Sequence, residues 1–144
     1  MEQESVKRIP LPTFTDPRGS LTAIELAETI PFPVRRIFYI RDVPSGVARA
    51  GHATYSPEAI FCVAGRCRIR LRGGEQDTDI LLDSPREGLC LPPLTWRSLF
   101  DFSNDCVLLC LSDRPYDKED YINDFDAYLQ LKRQNANEKG SCLI

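Results

Sequence analysis

A single imidazole serves the whole chain: His52 is the only histidine, and it stands between Gly51 and Ala53 with little side-chain bulk around it. An imidazole with a reference pKa of about 6.5 is partly neutral near pH 7, which suits a general base. Around it the spacing runs Gly46-x5-His52-x-Thr54-x3-Glu58-x6-Gly65. Two other residue types suit the same kind of chemistry. A tyrosine phenol can trade a proton with a developing oxyanion, and a guanidinium can hold an anion through paired, charge-assisted hydrogen bonds. A lone histidine in an apolar strand also has a purely structural use, so the elements that carry His52 decide what it does.

Those elements are strands. Eleven prolines and eight glycines recur between short runs rich in Val, Ile, Leu, Phe and Tyr, the punctuation of an all-β sandwich or barrel. Strands are predicted near 20–25, 34–41, 48–53, 58–64, 66–72, 77–83, 88–92, 95–100 and 105–111. The clearest has Cys67, Ile69 and Leu71 alternating with Arg66, Arg68, Arg70 and Arg72, which places the four arginines on one face, read as a solvated outer surface. After Pro115 the period changes. Tyr121, Ile122, Phe125, Tyr128 and Leu129 fall at helical spacing and Asp117 is a capping residue, so one C-terminal helix is expected to pack its apolar stripe on the barrel. Beyond Lys132 periodicity is lost. The expected organisation is one domain over 1–135 and a flexible tail over 136–144.

Composition narrows the function classes. Eighteen Lys and Arg against twenty-one Asp and Glu give a net charge of −3, which argues against a nucleic-acid binder relying on bulk positive charge. The longest apolar runs fall far below the roughly 18–20 residues that cross a bilayer, so no membrane association is expected. The acidic start Met1-Glu2-Gln3-Glu4 has no basic, apolar leader, giving a cytoplasmic expectation. Cys62, Cys67, Cys90, Cys106 and Cys110 sit in apolar strand-like segments with no C-x-x-C pair, which reads as reduced structural thiols. Cys142 is one place short of a prenylation box and is read as an incidental thiol.

The spacing around His52 resembles the first signature of the cupin superfamily, with Thr54 where a second histidine is expected. A looser second signature follows in Gly88, Pro92, Leu94 and Trp96-Arg97, with Arg97 where a third histidine is expected. The resemblance implies a jelly-roll β-barrel. A divalent cupin metal wants about three imidazoles and one carboxylate, whereas these positions offer His52, Thr54, Glu58 and Arg97. A permanent guanidinium charge repels a cation, so no metal and no cofactor are expected.

A closer resemblance lies in seven motifs taken in order: Asp16-Pro17-Arg18-Gly19-Ser20-Leu21, Arg35-Arg36-Ile37-Phe38-Tyr39-Ile40, Arg49-Ala50-Gly51-His52-Ala53, Val63-Ala64-Gly65-Arg66-Cys67-Arg68, Leu82-Asp83-Ser84-Pro85, Asp101-Phe102-Ser103, and Tyr116-Asp117 to Tyr121-Ile122. Together they resemble the WxcM-like sugar-nucleotide 3,4-ketoisomerases over roughly residues 8 to 126. The resemblance implies conversion of a dTDP-4-keto-6-deoxyhexose to its 3-keto isomer through an enediol, in deoxyamino-sugar biosynthesis. It makes His52 the catalytic histidine, Tyr39 the sugar-facing tyrosine and Arg18 the active-site arginine. Arg49, Thr54, Tyr55, Glu58, Trp96 and Arg97 are the expected substrate contacts, Trp96 as a possible stacking surface for the base. It also implies an intimate homodimer that shares strands.

One departure matters for the chemistry. The family motif normally reads His-Ala-His, and a strand's period of two aims both imidazoles into one cavity. Thr54 takes the second place, and Arg97 and Phe100 also stand where the family tends to carry histidine. Two outcomes follow: His52 performs the proton transfers with help from Glu58, Tyr39 or Tyr55, or the protein is a non-catalytic or altered-activity nucleotide-sugar binder.

Overall fold

The structure is a computed structural model that describes residues 5–141. The N-terminal Met1-Glu2-Gln3-Glu4 and the thiol of Cys142 lie outside the described residues. Two antiparallel five-stranded sheets face each other, in the manner of a jelly roll. The first takes β1 (Lys7–Pro10), β9 (Glu87–Leu91), β6 (Glu58–Ala64), β11 (Val107–Ser112) and β4 (Arg36–Arg41), in that order. The second takes β12 (Tyr121–Ile122), β5 (Arg49–Thr54), β10 (Trp96–Phe100), β7 (Cys67–Arg72) and β8 (Thr78–Leu82). A separate hairpin pairs β2 (Thr13–Asp16) with β3 (Gly19–Thr22). Helices are few: α1 (Leu26–Thr29) is one turn, and α2 (Phe125–Ser141) is the C-terminal helix. No described helix is long and apolar enough to cross a membrane.

Strand alternation sorts the apolar residues into three layers. Ile60, Cys62, Cys67, Ile69, Leu89, Leu91, Leu99 and Leu108 fill the space between the sheets. Ala59, Phe61, Cys90 and Leu111 point out of the first sheet and are covered by Ile9, Leu11 and Ile30. On the other side, Ala53 and Trp96 leave the second sheet to meet Tyr128 of α2, with Phe125 and Leu129 alongside.

The arginine ladder lies on the outer face. Arg68 pairs with Asp101 at 3.4 Å, Arg70 with Asp79 at 2.8 Å and Arg72 with Asp77 at 3.5 Å. Exposed ion pairs of this kind contribute at most about 1 kcal/mol each.

The segment after Pro115 departs from the helical expectation at its start. Asp117 does cap, its side chain accepting from the Glu119 N–H, but the element is a single 3₁₀ turn, Lys118–Asp120. Tyr121 and Ile122 then pair with Thr54 and Ala53 of β5. An open sheet edge takes the two residues as a strand, and the buried Asp120 carboxylate locks them there by accepting from the Ser56 amide and hydroxyl. The helix starts only at Phe125, where the Asp124 side chain accepts from the Asp126 N–H. It then continues through Ser141, past the point where the apolar stripe ends. Two short strands, β1 and β2, have no alternating signal of their own; β1 buries only Ile9 and is held by its pairing with β9.

Candidate functional site

His52 owes its position to a bulge in β5. Arg97 pairs with His52 but the next residue, Ser98, pairs with Ala50, so Gly51 is the extra residue. Both Ala50 (φ 66°) and Gly51 (φ 74°) sit in the left-handed region. Only glycine enters that region without cost, and a bulge of this kind re-aims the neighbouring side chain. The glycine next to the lone histidine therefore has a local cause. Beyond the bulge, normal alternation resumes: Ala53 faces α2, while Thr54 and Arg97 meet on the inner side.

The imidazole lines an open cleft of about 410 Å³ between the sheets. Phe38 and Ile40 of β4, Glu58 of β6, Arg97 and Leu99 of β10, and Tyr116, Lys118, Tyr121 and Asn123 complete its walls with Tyr39, Arg49 and Ala50. The Tyr121 ring meets His52 edge-on, with centroids 4.9 Å apart. Its hydroxyl accepts a hydrogen bond from Arg36 Nη2 at 3.2 Å, and Arg36 in turn lies over the rings of Phe38 and Tyr116.

Electrostatics keep this imidazole uncharged. Burial, followed by the nearby Arg97 guanidinium, holds His52 down at about 4, against a smaller opposing pull from Asp120. At neutral pH His52 is a free base. Arg97 is only 1 % exposed. Its Nη2 donates to Thr54 Oγ1 at 3.3 Å and lies 3.8 Å from Glu58 Oε2. Its Nε and Nη1 have no hydrogen-bond partner. Burial pushes the Glu58 carboxyl above its ordinary range, while Arg97 and Arg36 pull it back. A buried guanidinium with two unpartnered nitrogens, Nε and Nη1, in a cleft wall is a donor set awaiting an acceptor, since such groups are costly to leave unpaired.

Of the residues expected at the site, His52, Arg49, Glu58, Arg97 and Tyr39 line the cleft. Tyr39 stands at the rim, 61 % exposed, with the Arg41 guanidinium over its ring. The others do not line it. Thr54 is buried behind the wall, donating to the Ser56 carbonyl and accepting from Arg97. Tyr55 is exposed outside the cleft. Trp96 corrects the stacking expectation: alternation turns it away from Arg97 into the layer beneath α2, edge-on to Phe125 and packed on Tyr128. Glu58 pairs with Arg97 and makes no hydrogen bond to His52. Arg18 sits on the β2–β3 hairpin, highly exposed and paired with Asp16 at 2.6 Å. Tyr121 was expected in a helical stripe; only the motif containing Tyr116-Asp117 to Tyr121-Ile122 pointed to its neighbourhood.

The donors around His52 do not fit a divalent metal. One imidazole and one carboxylate face a buried guanidinium that already pairs with that carboxylate. What the cleft can do is remove a proton with a neutral base and hold the resulting oxyanion on Arg97.

Comparison with known proteins points the same way. A family model described as FdtA, WxcM-like, C-terminal matches residues 4–133. A curated TDP-4-oxo-6-deoxy-alpha-D-glucose-3,4-oxoisomerase of Aneurinibacillus thermoaerophilus is 40% identical over 127 residues, 87% of this chain and 91% of that protein. The sugar 3,4-ketoisomerase QdtA of Thermoanaerobacterium thermosaccharolyticum, solved in complex with TDP, is 35% identical with a TM-score of 0.87, covering 90% of this chain and 96% of that one. A 3,4-ketoisomerase from Helicobacter canadensis is 33% identical with a TM-score of 0.84, covering 90% and 98%.

Proposed function

We propose, from the premise that this chain belongs to the FdtA, WxcM-like family, that it is a sugar-nucleotide 3,4-ketoisomerase acting on a dTDP-linked 4-keto-6-deoxyhexose. The observation that carries this reading is a neutral imidazole beside a buried guanidinium whose Nε and Nη1 have no hydrogen-bond partner.

The reaction moves a carbonyl from C4 to C3. His52 removes the C3 proton, and the electron pair forms the C3–C4 double bond as the C4 carbonyl becomes an oxyanion. Arg97 Nε and Nη1 hold that oxyanion. The C3 hydroxyl proton passes to the C4 oxygen, and protonated His52 returns a proton to C4 as the C3 carbonyl forms. Tyr121, anchored by Arg36, is the phenol best placed to relay between the two oxygens, and Tyr39 faces the sugar at the rim. Burial first, and the Arg97 charge second, keep His52 neutral; the Arg97 charge is offset when the enediolate forms, so the imidazolium is favoured at that moment. Arg49 and Lys118 offer positive charge for the diphosphate.

No metal is assigned to this step, because Arg97 occupies the place a cation needs. The reading includes a cytoplasmic setting in deoxyamino-sugar biosynthesis. It also includes a homodimer. Phe14 and Leu21 on the hairpin and Ile37 on the edge strand β4 are exposed large apolar side chains. A second copy covering them carries the hairpin, and Arg18 with it, to the cleft of its neighbour.

The test follows dTDP-4-keto-6-deoxyglucose in deuterated water. The protein is expected to isomerise it with deuterium entering from solvent. His52→Ala is expected to lose both while dTDP still raises the Tm. Binding without exchange in the unsubstituted protein would instead establish the non-catalytic reading suggested by Thr54.

A further inference from the structure

We propose that Cys62, Cys67 and Cys106 form a site for one thiophilic d10 metal ion, Zn2+ or Cu+, at the end of the barrel away from the catalytic cleft. The three thiols come from different elements: Cys62 from β6, Cys67 from the start of β7, and Cys106 from the turn leading into β11. All three sulfurs lie within 4.8 Å of one another, and those of Cys62 and Cys106 are 3.8 Å apart. An ion with metal–sulfur bonds of about 2.3 Å at tetrahedral angles needs its sulfurs about 3.8 Å apart. The thiols already stand near ligating distance. Thiolate donors of this kind select soft ions over Mg2+ or Ca2+.

The backbone around the cluster is held independently of any ion. Arg66 N–H donates to Ser103 Oγ at 2.9 Å, Ser103 N–H returns to the Arg66 carbonyl at 2.9 Å, and Cys106 N–H donates to the Ser103 carbonyl at 3.1 Å. Gly65, at φ +66°, lets this turn approach: a Cβ there would stand 2.4 Å from Ser103 Oγ and 2.7 Å from Cys106 N. The three thiols are buried, and the chain neighbours Ala64 and Asp105 are exposed; Cys62 Sγ donates to the Ala64 carbonyl at 3.2 Å.

Binding is a proton-for-metal exchange with no redox step: each thiol that ligates releases its proton to solvent. The ion would staple β6, β7 and the entry to β11. Along β6, Glu58 and Cys62 are four residues apart, about 13 Å at strand rise, so the ion takes no part in the isomerisation.

The test uses the full chain, reduced, stripped with chelator, and titrated with Co2+, with Zn2+, and anaerobically with Cu+ in competition with a chromogenic chelator. One equivalent per chain is expected, with thiolate-to-cobalt charge-transfer absorption, and with Zn2+ or Cu+ displacing Co2+. At a free-ion concentration of 100 Kd, labelling of the three thiols through opening is expected to slow by about a hundredfold. Cys67→Ala is expected to abolish the absorption and keep the Tm rise caused by dTDP. Mass-spectrometric mapping of protected cysteines in the unsubstituted protein gives the same answer should that variant fold poorly. Absence of the absorption, protection of cysteines other than these three, or binding that survives Cys67→Ala overturns the proposal. So does an air-formed Cys62–Cys106 disulfide in place of metal binding.

Discussion

An imidazole held at about 4 is a weak base, and its weakness has a measurable signature. Because kcat/KM reports the free enzyme, its acid limb is expected near the lowered His52 value and well below 6.5. Bound anionic substrate raises the imidazole, so the limb of kcat is expected at higher pH than that of kcat/KM. A pH–rate series read together with NMR titration of the single imidazole checks both, and a kcat/KM limb at the ordinary histidine value contradicts the site electrostatics. The linked stability effect has a definite sign. Between pH 6.5 and about 4 the unfolded chain takes up a proton that native His52 refuses, so this residue's contribution falls as pH falls through that window. Replacing His52 by Ala is expected to lower kcat by about 10²–10⁴, the usual size of one general base. Arg97→Met tests the other half of the pair: it removes the oxyanion donor and leaves Glu58 buried without its cation, a loss of about 3–5 kcal/mol by denaturant titration.

At the level of elements, the bulge in β5 and the helix α2 each make a claim that a substitution can check. Gly51 has open space for a Cβ but a φ of +74°. Gly51→Val is therefore expected to cost stability through backbone strain, on the order of 1–2 kcal/mol, and to lower kcat more than dTDP affinity, because His52 moves with the bulge. Trp96 separates a core role from a base-stacking role. With its ring between Phe125 and Tyr128, Trp96→Ala is expected to destabilise by about 3–5 kcal/mol while dTDP affinity at low temperature is retained. A selective loss of dTDP binding in a fully folded variant would return Trp96 to the ligand.

For the molecule as a whole, the placement of Arg18 becomes a question about two copies. Arg18 is highly exposed and does not line the cleft of its own chain, while the resemblance assigns it to an active site. In a symmetric dimer that exchanges the hairpin, Arg18→Ala and His52→Ala subunits complement each other. One of the two sites in each mixed dimer then holds both residues, so random mixing is expected to restore about a quarter of full activity. Light scattering gives the dimer mass in the same samples. A monomer, or no recovery on remixing, removes the shared-site arrangement.

Much of this protein was written in local pattern. The paired strands from β4 to β11 follow from alternation and from glycine and proline punctuation, because a strand's period of two needs no knowledge of its neighbours. Spacing and resemblance to a family singled out His52, Arg49, Glu58 and Arg97, and the fold brings all four to one cleft. Tertiary structure alone decided the rest. Tyr121 and Ile122 became a strand because an open edge of β5 lay beside them, and a two-residue pairing leaves no periodic trace. The same fold turned Trp96 toward α2 while its neighbour Arg97 faced inward, set the Arg97 charge against His52, and gathered three cysteines far apart in sequence. Charge, burial and ligand spacing depend on distances between strands that are remote along the chain, and no sequence window contains those distances.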